Sequence, residues 1–98
     1  MPRTEADIQA AIIAAVERDG HYVVRVARAS RAGVPDLIVC AHGRFIALEV
    51  KRPGENPTRI QVVENRRIEA AGGEGYVVRS VDDALACLRS AVSQRHEV

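Results

Sequence analysis

The stretch that decides the fold is residues 33–51, GVPDLIVCAHGRFIALEVK. Two apolar runs, Asp36–Ala41 and Arg44–Lys51, flank the pair His42-Gly43. Continuous apolar runs of this length are typical of strands that are buried on both faces of a sheet. A glycine-containing pair between two such runs indicates a tight turn. We therefore predict a two-stranded hairpin.

The length of the turn decides which side chains share a face of this hairpin. With His42-Gly43 as a two-residue loop, Asp36 lies directly opposite Glu49, and the period of two along a strand brings Lys51 to the same face. Two carboxylates about 5 Å apart repel each other, so an apolar sheet tolerates them best with a cation between them. These carboxylates, the main-chain carbonyl of Val50 and water would form the all-oxygen site that Mg²⁺ and Mn²⁺ prefer.

Two alternatives to this paired-acid site stay open. A three-residue loop would move Asp36 and Glu49 to opposite faces, because a shift of one residue inverts the side-chain pattern. The two acids would also be unrelated if each only marked the exposed end of its strand, although both interrupt apolar runs. The site therefore depends on the hairpin register.

Helix and strand signals alternate on both sides of the hairpin. Capping boxes at Thr4 and Thr58 mark two helix starts. The last strand is reached through a helix, which predicts a parallel pair and a four-stranded mixed sheet flanked by helices, an α/β fold of order αβββαβα. The predicted elements are a helix over Glu5–Asp19, strands over His21–Ala27, Asp36–Ala41 and Arg44–Lys51, a helix from Thr58 to Ala71, a strand over Tyr76–Arg79, a helix that begins at Ser80 and a frayed tail over 94–98.

Composition limits the class of protein. A chain of 98 residues fits a single domain over 1–98, and 47 % apolar residues suffice for a packed core. No apolar run reaches the ~18 residues of a membrane span, and the start of the chain lacks the apolar region of a secretory signal. Cys40 and Cys87 fit no zinc or disulfide pattern, which favours a reduced, cytoplasmic protein. An aromatic content of 3 % argues against a base-stacking platform for single strands.

Charge is concentrated in the middle of the chain. Residues 21–60 carry seven basic and three acidic side chains, a net charge of +4, against +1 for the whole chain. This suggests a local anionic partner such as a phosphate backbone, although arginines on a solvated surface would give the same count. Thirteen of the fourteen basic residues are arginine, and Lys51 is the single lysine. Since a generic surface cation in this chain would be arginine, the lone lysine beside the acid pair suggests a specific role.

The motif GVPD at 33–36, followed by EVK at 49–51, resembles the PD-(D/E)xK nuclease motif. With a helix before it and Gln61 at the start of the next helix, the wider pattern is similar to the small stand-alone form of the VRR-NUC (virus-type replication–repair nuclease) family. The resemblance runs from the first helix through the fourth strand. It implies a restriction-endonuclease-like fold and metal-dependent hydrolysis of DNA.

The resemblance also implies roles for individual residues. Asp36, Glu49 and the Val50 carbonyl would hold Mg²⁺ or Mn²⁺. Lys51 would orient or help deprotonate the attacking water and stabilise the charge that develops on the phosphate, which suits a compact point charge.

Two further assignments have structural alternatives. Glu5 matches an acid on the first helix of related nucleases and is a possible metal ligand, yet an acid is also favoured at any helix N-terminus. Gln61 matches an active-site glutamine of the family, yet it is also the third residue of the Thr58 capping box. Polar residues in the loops that flank the site could bind DNA phosphates; alternatively, each is simply a solvated surface residue. These residues are Arg28, Ser30, Arg31, Arg52 and Arg59.

These observations favour an endonuclease over a non-catalytic DNA-binding module, because Asp36, Glu49 and Lys51 are all present. A small α/β interaction domain is a third hypothesis, against which the basic middle segment argues. Small members of the family resemble Holliday junction resolvases, which implies a homodimer that acts on branched DNA. A two-fold dimer also suits a short chain that must span two strands. The expected setting is the cytoplasm of a bacterium or of a phage host.

Overall fold

The predicted hairpin forms the centre of the sheet. The computed structural model describes residues 3–96. The order of its elements is the predicted αβββαβα. The helices are α1 (Glu5–Arg18), α2 (Arg59–Ala70) and α3 (Val81–His96), and the strands are β1 (Tyr22–Arg25), β2 (Leu37–Ala41), β3 (Arg44–Val50) and β4 (Glu74–Val78).

The four strands form one mixed sheet in the order β1-β2-β3-β4. The pairs β1–β2 and β2–β3 are antiparallel, whereas β3 and β4 are parallel. A parallel pair needs a crossover, and α2 provides it. The prediction of a mixed sheet with a helical crossover before its last strand is confirmed.

The turn between β2 and β3 has two residues, as predicted. His42 and Gly43 both adopt positive φ, 55° and 74°. Two successive residues in this region form the type I′ turn, whose twist matches that of the flanking strands. The turn sets Ala41 opposite Arg44 and Leu37 opposite Leu48. The register on which the acid pair depends is therefore the predicted one.

The two faces of the sheet differ in composition because side chains alternate along each strand. One face is mainly apolar and is covered by α1 and α3, although by the same alternation it also carries Arg44 and Glu74 near the hairpin turn. Burial of this face supplies the main hydrophobic stabilisation of the fold. Its core comprises Val23, Leu37, Val39, Ile46, Leu48, Val50 and Val78 from the sheet, Ile8, Ile12 and Val16 from α1, and Ala84 and Leu88 from α3.

The opposite face carries α2, which comes very close to the backbone at two glycines. A Cβ on Gly75 would overlap the side-chain oxygen of Asn65, so a side chain at this strand position would force the Asn65 side chain to move. Gly33, in the loop before β2, has φ +85°, and a Cβ there would lie 2.7 Å from the carbonyl oxygen of Ile60. These contacts fix α2 on β4 and fix the β1–β2 loop on α2.

The rest of this face is open. Tyr22 stands opposite Cys40, which stands opposite Phe45, so the three form one row across the sheet. Tyr22 is 63 % exposed and Phe45 49 %. Val24, on the same face of β1, is also exposed. An apolar, uncharged surface thus lies beside the part of the sheet that α2 covers.

Some element boundaries differ from the predicted ones. β1 is shorter because its partner β2 begins only at Leu37, opposite Arg25. β4 begins at Glu74 rather than Tyr76, because Glu74 and Gly75 pair with Ile46 and Ala47 in the parallel ladder to β3.

The C-terminal helix α3 also differs from its prediction. It continues to His96, through residues predicted to belong to a tail, and residues 97–98 lie outside the described part. No helix within residues 3–96 combines the length and apolar content that crossing a bilayer requires.

Candidate active site

The acid pair lies where the ladder between β2 and β3 ends. Leu37 pairs with Leu48, so one step further Asp36 stands opposite Glu49. In the same register Val50 stands opposite Pro35, which has no N–H to donate to the Val50 carbonyl. Proline therefore ends the ladder beside the two acids.

Asp36 is held by the backbone on both sides. Its Oδ2 accepts a hydrogen bond of 2.8 Å from the Val50 amide, and its carbonyl accepts one of 2.8 Å from the Val26 amide. The Asp36 side chain thus accepts the hydrogen bond that the Val50 amide of β3 would otherwise donate to a backbone carbonyl of the neighbouring strand. This geometry keeps the Asp36 carboxylate next to Glu49.

Glu49 is the most enclosed acid of the site, only 4 % exposed. Its Oε2 accepts a hydrogen bond of 2.9 Å from the side-chain amide of Gln61 and lies 3.4 Å from Nζ of Lys51. Burial, reinforced by the neighbouring Asp36 charge, raises the pKa of Glu49 to about 7, against the lowering effect of Lys51. Proton and cation therefore compete for this carboxylate near neutral pH.

Lys51 and Gln61 approach Glu49 from two different elements. Lys51 directly follows β3, is 9 % exposed, and donates its backbone N–H to Val78 over 3.0 Å. Gln61 closes the capping box of α2, since its Oε1 accepts from the Thr58 amide at 2.8 Å. The amide nitrogen of the same side chain binds Glu49. Both interpretations of Gln61, as cap and as site residue, describe contacts that are present.

Glu5 lies half-buried at the start of α1, close to the carboxyl group of Glu55, which no sequence motif marks as a site residue. Burial raises the pKa of Glu5. A hydrogen bond that protonated Glu5 donates to Glu55, and the charge of Glu55, raise this pKa further. Glu55 accepts a 2.8 Å hydrogen bond from the Arg52 amide, which lowers its own pKa. The charges of Lys51 and Asp36 also act on Glu5. Glu55 sits in a loop without periodicity, so no local pattern marked it as part of this cluster.

A curated protein named "Putative nuclease p44", from Acyrthosiphon pisum secondary endosymbiont phage 1, is 34 % identical over 79 residues, which cover 80 % of this chain and 85 % of that protein. A solved structure described as "VRR_NUC domain" superposes with a TM-score of 0.75 at 26 % identity, over 87 % of this chain and 94 % of that one. The chain belongs to the VRR-NUC nuclease family. The resemblance seen in residues 33–61 is confirmed.

A second solved structure, described as "VRR_NUC domain protein", has a TM-score of 0.70 and covers 91 % of this chain and 88 % of its own. At 19 % identity it shows the shared fold alone. No family model matches the sequence. The VRR-NUC fold is thus shared with solved structures of low sequence identity.

The donor set of this VRR-NUC domain fits a hard divalent cation. Among the described residues, the buried side-chain oxygens without a hydrogen-bond partner are Glu49 Oε1 and Asn65 Oδ1. A buried, unpartnered carboxylate oxygen beside a second carboxylate suits a cation better than a neutral ligand. Among the side chains that the structure describes, no three of His, Cys, Asp or Glu are grouped to hold a metal ion. The fit rests on the two facing acids and on main-chain oxygen.

The predicted DNA-binding residues of the VRR-NUC domain all lie at the surface. They belong to the loop before β2, to the loop after β3 and to the first turn of α2. Of their side chains, Arg31 has a defined partner, since its Nε donates to Glu64 Oε1 over 2.9 Å. The exposed residues are Arg28, Ser30, Arg31, Arg52 and Arg59.

Proposed function

We propose that this protein is a metal-dependent DNA endonuclease that hydrolyses phosphodiester bonds. The observation that supports this most directly is the convergence on Glu49 of three side chains from separate segments. Asp36 faces it across the sheet, Lys51 lies 3.4 Å away, and Gln61 donates a hydrogen bond to it. An ordinary ion pair would not need the second carboxylate or the unpartnered Glu49 oxygen.

Mg²⁺ or Mn²⁺ would be held by Asp36, Glu49 and the Val50 carbonyl, with Glu5 as a further ligand. When bound, such an ion lowers the pKa of water and polarises the phosphate. The chain's own residues do the rest. Gln61 fixes the orientation of the Glu49 carboxylate, and the Val50 amide fixes that of Asp36.

Lys51 is placed to act on the attacking water and on the developing phosphate charge. Its ammonium group is held by Glu49 in a poorly solvated position, where a fixed charge stabilises a transition state more strongly than it does in water. The exposed arginines around the site supply phosphate contacts that set the position of the strand without reading its sequence.

We further propose that residues 1–98 work as one nuclease domain in the cytoplasm of a bacterium or phage host, as a homodimer on branched DNA. One acid pair cuts one strand, so two strands require two copies. The open row of Tyr22, Cys40 and Phe45 gives a second copy an uncharged surface to cover. Sedimentation velocity at micromolar concentration should show a dimer; a monomer both with and without DNA contradicts this part.

The test of the proposed activity is cleavage of labelled DNA. Linear, flapped, splayed and four-way substrates are incubated with Mg²⁺, with Mn²⁺ and with EDTA. We expect cleavage with either metal, none in EDTA, a preference for the branched forms, and no cleavage by Glu49→Gln protein. Tight DNA binding without cleavage in any metal would instead identify a non-catalytic DNA-binding module.

A further inference from the structure

A buried carboxylate on α2 holds two arginines side by side at the surface. Glu64 is 6 % exposed. Its Oε1 accepts from Arg31 Nε at 2.9 Å, and its Oε2 accepts from Arg67 Nη1 at 3.4 Å. The arginine side chains themselves are 59 % and 57 % exposed. Two cations share one anion, so the cluster carries a net positive charge toward solvent.

A neighbouring ion pair shows what a purely structural pair looks like in the same molecule. Arg44 is bound to Glu74 one to one, and Tyr76 donates a further hydrogen bond to Glu74. Both charged side chains of that pair are about 15 % exposed, so its charges are matched and enclosed. In the Glu64 cluster, by contrast, two positive charges face one negative charge, and both arginines are exposed to solvent.

The arginines line a groove at the hairpin tip, at the end of β3 opposite to the acid pair. The groove has a volume of about 550 Å³ and lies between the hairpin tip and the C-terminal end of α2. Arg31 and Arg67 line it together with apolar Phe45 and Ile68 and with the Arg44–Glu74 pair. Counting only partners whose side chains are described, the side-chain hydrogen bonds of these two arginines go to Glu64. Each guanidinium has five N–H groups, so most of these donors remain free to bind a ligand.

Packing fixes the backbone that carries the two arginines. Arg31 comes from the loop that Gly33 holds against the Ile60 carbonyl, where even a Cβ would lie at 2.7 Å. Arg67 is on the helix itself. Guanidiniums held in a fixed orientation by a buried carboxylate lose little entropy on binding an anion, and their geometry suits a phosphate.

The spacing along α2 relates this cluster to the proposed centre of cleavage. Gln61 contacts Glu49, and Arg67 follows six residues later, a rise of about 9 Å along the helix. In B-DNA one strand advances about 3.4 Å per nucleotide, so this distance spans two to three nucleotides. Resting on the proposed nuclease function, we infer that Arg31 and Arg67, oriented by Glu64, bind a backbone phosphate two to three nucleotides from the bond that is cut.

The test measures DNA affinity without cleavage. Fluorescence anisotropy of labelled duplex and four-way DNA is recorded in EDTA over a series of salt concentrations for wild type, Arg31→Ala, Arg67→Ala and Arg18→Ala. Arg18, exposed at the end of α1, removes the same charge away from the groove. Either groove variant leaves Glu64 one arginine, so the fold should persist, and thermal melting checks it.

We expect each groove variant to bind about tenfold more weakly and to lower the salt slope by about one, as for one lost phosphate contact. Arg67→Lys should recover part of the affinity, and Arg18→Ala should stay within about twofold of wild type. If wild type cleaves and binds DNA but the groove variants match Arg18→Ala, this inference is wrong and the nuclease proposal stands.

Two other results also overturn the inference. Loss of the dimer in Arg67→Ala with unchanged affinity per subunit would make the groove a contact between copies. Failure of wild type to bind DNA at all would remove the proposed function together with the phosphate site.

Discussion

The side-chain amide of Gln61 lies 2.9 Å from Glu49 Oε2 while its carbonyl oxygen caps the helix at Thr58. One side chain thus fixes both the start of α2 and the orientation of a candidate metal ligand. The two functions can be separated by mutation, because glutamate is an equally good third residue of a capping box but cannot donate a hydrogen bond to Glu49.

Gln61→Glu should therefore keep the helix start and lose cleavage, since it places a third carboxylate against Glu49. Thr58→Ala should do the reverse and lose about 1 kcal/mol of stability with near-normal cleavage. Urea denaturation and a cleavage time course on both proteins measure the separation. Equal loss of cleavage in the two variants would mean that Gln61 acts only through the cap.

Lys51→Ala should lower the cleavage rate by about 100-fold, a loss of ~3 kcal/mol of transition-state stabilisation. The circular dichroism spectrum should stay native, because Glu49 can take up a proton once its cation is gone. Lys51→Arg, the matched control, keeps the charge but replaces a compact ammonium with a planar group, so we expect little recovery. Turnover near that of wild type in Lys51→Ala contradicts the role.

Asp36→Asn removes one of two facing charges and keeps an oxygen to accept from the Val50 amide. In EDTA its melting temperature should exceed that of wild type by an amount corresponding to ~1 kcal/mol. Mn²⁺ should stabilise wild type by mass action and the variant much less. Glu17→Gln, on the exposed side of α1, controls for net charge. Destabilisation of Asp36→Asn in EDTA, with no effect of metal on wild type, would count decisively against a paired site.

The raised pKa of Glu49 predicts how stability depends on pH in EDTA. Below about pH 4.5 the folded and unfolded chains both carry the proton, and above about pH 7 both have lost it. Between these values only the folded chain keeps it, so the free energy of unfolding falls as pH rises, by at most about 1.4 kcal/mol per pH unit from this group. Glu49→Gln should flatten the curve in that window. Parallel curves for the two proteins would show that Glu49 titrates normally.

Much of this arrangement was predictable from the sequence because it is local. The turn at His42-Gly43 fixes the register, and the register alone places Asp36 opposite Glu49. Both capping boxes were predicted from side-chain types three residues apart. Strand and helix types followed from periodicity for the same reason.

The features that were missed depend on contacts distant in sequence. Glu55 approaches Glu5 from a loop fifty positions away, and Glu64 on α2 forms an ion pair with Arg31 of the β1–β2 loop. The early start of β4 depends on the pairing of Glu74 and Gly75 with residues of β3. No pattern within one element encodes these pairings, because each is fixed by how α2 and the loops pack.

Gly33→Ala tests the packing of the β1–β2 loop on α2. Gly54→Ala is its control, because the backbone φ is nearly the same, +85° at Gly33 and +87° at Gly54. At Gly54, however, an added Cβ would have no atom within 4 Å. Both should lose about 1–2 kcal/mol to the left-handed backbone, and Gly33→Ala should lose a further ~1–3 kcal/mol to the clash with Ile60. Urea denaturation gives both values, and equal losses would show that the loop yields without cost.

The alternation along β3 divides mutational sensitivity between neighbours in the chain. Leu48 and Val50 point into the apolar core, whereas Glu49 and Lys51 point into the candidate active site on the other face. Selection acts on the first two through the amount of folded protein in the cell and on the other two through the work that each folded molecule performs. Adjacent codons are thus under different selective pressures. Extra chaperones or a lower growth temperature can compensate for a destabilising substitution at Leu48, but neither can restore activity after a substitution at Glu49.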